Sequence, residues 1–92
     1  MLNPATVVLR LPLSDRAALA PFVETCLASG ISLIAIWGEG ARGVEDEIDA
    51  IIVGDGSDPD RFMSTSVHGP KDDALGFAMD WNDCGTALVV RL

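Results

Sequence analysis

An α/β fold is predicted for this chain: a small, open, mostly parallel four-stranded sheet with three helices on both faces, in the order βαβαβαβ. Three observations predict it. Four short runs of β-branched and large apolar residues recur along the sequence, at 6–11, 31–37, 62–67 and 86–92. The segments between them carry helical caps, helical periodicity or both. Most of the runs are near-continuously apolar rather than alternating, as befits strands covered on both faces. Consecutive strand, helix, strand units then imply right-handed crossovers.

Thr6-Val7-Val8-Leu9-Arg10-Leu11 reads as the first strand, ended by Pro12, and its apolarity suggests a central place in the sheet. Ser14 is a good N-cap for a helix over 14–29, with Gly30 as its stop. Pro21 removes a backbone donor within that helix, so it should kink the axis or delay the regular start. The second strand, 31–37, has five large apolar residues in seven. Over 44–53, Val44, Ile48, Ile51 and Ile52 form an apolar stripe with Glu45, Asp46, Glu47 and Asp49 off it, an amphipathic helix. The rival reading makes 50–53 a short strand.

Residues 54–60 are turn chemistry, and 62–67 follow as a third strand whose Ser64, Thr65 and Ser66 suggest an edge. Pro70 suits the N1 position of a last helix over 71–81, with Asp72 and Asp73 in its first turn and Leu75, Ala78 and Met79 inward. Residues 86–92 close the sheet.

With 92 residues, 49% of them apolar, the chain supplies one core and one domain, 1–92. Its apolar runs fall far short of the about 20 residues of a membrane span. The first residues lack a basic and apolar leader pattern, so a cytoplasmic location is expected. The balance of 14 acidic against 6 basic residues, net −8, repels nucleic acid and anionic membranes and suits a cationic partner surface. Cys26 and Cys84 lack zinc or redox spacing and read as reduced, packed hydrophobes.

Gly38-Glu39-Gly40-Ala41-Arg42-Gly43 has GxGxxG spacing, after a strand and before a helix, where glycines let a phosphate approach a helix N-terminus. Against phosphate binding stand Glu45, Asp46 and Glu47, assigned to the first helical turn, and the position of the motif after the second strand. The segment is therefore expected to be a connector. His68, the sole histidine, falls at the carboxyl end of the third strand, where ligands of α/β sheets bind. Ser14, Asp15, Glu39, Arg42 and Thr65 share that rim, yet no spacing defines a triad. Three acids in 55–60 lack the order of a calcium loop, and no metal or other cofactor is expected.

Trp37-Gly38, Asp58-Pro59-Asp60-Arg61-Phe62 leading to Thr65-Ser66 and His68, and Phe77-Ala78 together resemble a small bacterial α/β family of unknown function, over roughly residues 30–80. That family has an aromatic where Val67 stands and no glycine run after Trp37-Gly38. The resemblance implies a small α/β domain and no activity.

The sequence thus favours a non-enzymatic accessory or protein-interaction module. It is expected to form a homodimer through an edge strand or the less covered face, anchored by Trp81 or Trp37, and an unidentified protein partner is also expected. The alternative is a small-ligand or nucleotide-binding domain whose site comprises Trp37, Gly38, Gly40, Arg42, Gly43, Thr65 and His68.

Overall fold

A computed structural model describes residues 6–13, 15–54, 56, 63–81 and 87–92. Its strands are β1 (Thr6–Arg10), β2 (Leu33–Trp37), β3 (Ser64–His68) and β4 (Leu88–Arg91), all parallel and ordered β3-β2-β1-β4. The helices are α1 (Leu19–Ala28), preceded by a 3-10 turn over Arg16–Ala18, then α2 (Ala41–Val53) and α3 (Lys71–Asp80). β1 and β2, richest in Val, Leu and Ile, take the centre, and the serine-bearing β3 takes an edge. The predicted α/β architecture is the one found.

Helix placement follows from strand order. Two right-handed crossovers step from β1 to β2 to β3 and put α1 and α2 on one face. The third returns across the sheet to β4 and puts α3 on the other. On the two-helix face, Val7, Leu9, Ile34 and Ile36 pack with Leu19 and Val23 of α1 and with Val44, Ile48 and Ile52 of α2. On the one-helix face, Val8, Leu33 and Ala35 meet Ala74 and Ala78 of α3.

Pro21 delays the regular start of the first helix, as expected, because its missing N–H is harmless only in the opening turn. Asp15 caps the 3-10 turn, its Oδ1 accepting from the Ala17 amide at 3.0 Å. Ser14 lies outside the described residues. Gly30, at φ +80°, closes α1: the Gly30 amide donates to Leu27 and the Ile31 amide to Cys26, which satisfies two terminal carbonyls.

α2 is a helix throughout, which removes the strand reading of 50–53, and Ile51 is partly buried beside the three buried members of its stripe. It begins at Ala41, three residues before the expected Val44, because Gly40 at φ +82° caps it and Gly43 falls inside the helix. Pro70 is the N-cap of α3 rather than N1. The inward set of α3 also needs correction. Ala74 and Ala78 are buried and Leu75 partly so, whereas Met79 is 39% exposed.

Cys26 is buried and free, and burial pushes its thiol from the ordinary 9.0 to about 11. The folded state thus favours the neutral thiol. Its contribution to stability is intact below pH 9 and is lost as pH rises from 9 towards 11. Iodoacetamide at pH 8 should modify the Cys26 peptide far more slowly in native protein than after denaturant is added, by mass spectrometry, and equal rates would show that neither burial nor the raised thiol pKa protects it. Cys84 and most of the acidic 55–60 loop lie outside the described residues.

Candidate functional site

The loops that leave neighbouring strands β2 and β3 diverge, the first turning to α2 on one face and the second to α3 on the other. Such divergence at the carboxyl edge opens a crevice in α/β sheets. Here it is a depression of about 500 Å³ lined by Gly38, Gly40, Ala41, Arg42, Gly43, Val67, His68 and Gly69. Five of the seven residues expected at the site, Gly38, Gly40, Arg42, Gly43 and His68, therefore come together.

The glycines have separate causes. Gly38, at φ +112°, lies so close to the loop after β1 that an added Cβ would sit 3.2 Å from both the Leu11 Cβ and its carbonyl oxygen. Gly40 has open space around it and is required only by its left-handed backbone. Gly38→Ala should then cost roughly 1–3 kcal/mol through backbone strain and contact, read from the urea midpoint. An unchanged midpoint would show that Leu11 gives way freely.

The early start of α2 corrects the electrostatic objection to ligand binding. Its first turn holds Ala41, Arg42 and Gly43 and no acid, and Glu45, Asp46 and Glu47 come later. The Val44 amide is the first to bond within the helix, donating to the Gly40 carbonyl at 3.2 Å, which leaves the preceding amides facing outward as a helix N-terminus does. Arg42 is exposed on the rim.

His68 is held from both sides. Its Nδ1 lies 2.8 Å from Asp73 Oδ2 and its Nε2 2.8 Å from Ser66 Oγ, while its ring lies tilted at 50° against Phe77, with centroids 5.1 Å apart. Only 8% of the side chain is exposed. Ser66 and His68 are two apart on one strand and so share a face, and Asp73 comes from the first turn of α3. Ser66 and Asp73 are not among the seven residues expected at the site, although the i, i+2 relation of Ser66 to His68 is visible in the sequence. The order serine, histidine, aspartate resembles a nucleophile, base and orienter. However, Ser66 faces α3 and does not line the depression, so the relay fastens α3 to β3. His68 contributes a fixed wall to the crevice.

The remaining two expected residues lie elsewhere. Thr65 points to the opposite face and its Oγ1 donates to Asp49 Oδ1 at 2.9 Å. Trp37 is partly buried against the α3 face, under the Arg10 guanidinium at 5.8 Å, and its Nε1 is buried with no hydrogen-bond acceptor among the described residues. Trp81 is engaged too, since its Nε1 donates to Ser32 Oγ at 2.9 Å and its ring joins the core of that face. Glu45, Asp46 and Asp49 cluster on α2, but they are exposed or half-buried and Asp49 already accepts from Thr65. Comparison with protein-family models, with curated proteins and with solved structures finds no match.

Proposed function

We propose that the chain is a binding module without chemistry of its own, taking a small anionic ligand in the crevice between the β2–α2 and β3–α3 loops. The observation that carries this reading is the acid-free first turn of α2, with Gly40 and Arg42, opening into a depression walled by the fixed ring of His68. Exposed amides and the positive pole of the helix favour an anion, and Arg42 adds a fork of donors. The volume suits a phosphate or carboxylate on a small scaffold, and the strand order β3-β2-β1-β4 supplies only one mononucleotide-sized half of a dinucleotide fold.

Calorimetry with inorganic phosphate and mononucleotides tests it. Binding is expected in the micromolar to millimolar range, weakened at least tenfold in Arg42→Ala and abolished in Gly40→Val, whose side chain would strain the cap. Binding untouched by both changes, or none at millimolar ligand, overturns the reading.

A second reading is favoured by a different observation. β4 is an edge strand whose Leu88 and Val89 are 50% and 47% exposed, which suits a protein-interaction module that joins its partner at that edge. Homodimer formation is one form of this. Light scattering after size exclusion reads it directly, and a mass near 9.7 kDa at tens of micromolar counts against self-association.

A further inference from the structure

We infer that the open edge of β4 accepts an extended peptide strand from a partner protein, one that alternates apolar and acidic side chains. This rests on the second reading above, that β4 is a contact strand, and adds the chemistry of its occupant.

The two faces of β4 differ. Val7 pairs in register with Leu88, and beside them on the two-helix face lies an apolar groove of about 290 Å³, lined also by Phe22, Cys26 and Ile31. Groove volume near the lower end of ligand pockets suits one aliphatic or aromatic side chain. On the other face, α3 packs over β1, β2 and β3, and Val89 stays open. Arg91 shares that face with Val89 and stands in register beside Arg10, which stands beside Trp37. Two arginines are thus neighbours on adjacent strands, an unfavourable like-charge pair. Among the described residues neither has a carboxylate partner, in a chain with 14 acids. Neither β1 nor β4 contains an acid.

A strand added to β4 would hydrogen-bond along the edge and place successive side chains on alternate faces. Opposite Leu88 it needs an apolar residue to enter the groove. Opposite Arg91, three positions on and hence on the other face, it needs a carboxylate. A second copy of this chain offers only Leu88, Val89, Val90 and Arg91 from the same strand, so it brings no acid to the arginines. The charge pattern therefore selects a different, acidic partner. The spacing is apolar-x-x-acid for parallel addition and acid-x-x-apolar for antiparallel.

The test is a nitrogen-15 amide titration of the full chain with two capped probes, Thr-Ile-Thr-Val-Glu-Thr and its reversed sequence, each also made with Lys in place of Glu. One Glu probe should shift the β4 amides, the Lys form should bind at least tenfold more weakly, and Arg91→Glu should invert that preference while leaving the amide spectrum of β2 and β3 in place. Shifts at β4 with no charge preference would retain the contact strand and refute the acidic partner. No shift with any probe at millimolar concentration would refute both, whereas a dimer by light scattering whose β4 amides are protected from exchange would retain the contact strand and refute the acidic partner.

Discussion

Ile48→Ala is expected to destabilise the fold by about 3 kcal/mol, within the range of buried isoleucine truncations. Ile48 is fully buried at the middle of the α2 stripe, between Val44 and Ile52, and packs in the cluster that contains Leu9, Ile34 and Ile36. Removing three carbons there loses their transfer free energy and leaves a cavity that the sheet closes only in part. A chain of this size has roughly 5–14 kcal/mol in total, so the loss is a large share of its stability. Urea unfolding should show a lower midpoint with the slope unchanged. Ile51→Ala is the control, since its partly buried side chain should cost less than half as much. Equal losses at the two positions would mean that α2 is rotated relative to the packing described here.

The same helix shows what a sequence reveals and what it withholds. The stripe from Val44 to Ile52 was legible because burial on one face imposes a 3.6-residue period. The start was not, because periodicity reports buried residues while helix ends are set by caps. Gly40 caps α2 through a left-handed backbone, and Gly43 lies in a first turn that a glycine run does not advertise. That shift of three residues moved the acids out of the first turn and reversed the argument about the crevice. The β2 and β3 loops that frame it were legible as loops, yet their divergence follows from the return of the chain to β4. The fastening of His68 was half legible. Ser66 shares its face by strand alternation, whereas Asp73 reaches it only once α3 has been laid on the sheet.

The inner face of α3 is built from Ala74 and Ala78 and not from the expected Met79, and the cause leads to the second large effect. Its weak amphipathic pattern let Met79 stand in for Ala74, because alanine contributes little to a hydrophobic stripe. The structure uses alanine for another property, its size. Ala74 and Ala78 are both fully buried against Val8, Leu33 and Ala35, so the helix rests on the sheet through two methyl groups facing a third small residue. Ala74→Leu inserts three carbons into that contact, and overpacking of this kind costs typically 1–3 kcal/mol. The upper end is expected here, because lifting α3 also strains the bond from Asp73 to His68 and the bond from Trp81 to Ser32. A domain of this length loses roughly 4–8 °C of Tm per kcal/mol, so a fall of about 12–24 °C should be read by circular dichroism. Tryptophan emission should shift to the red at the same time, as Trp81 and Trp37 on that face gain water. Met79→Ala, on the exposed side of the helix, is expected to stay within about 0.5 kcal/mol of the parent. A parent-like Tm for Ala74→Leu, or a larger loss for Met79→Ala, would mean that α3 presents its other face to the sheet.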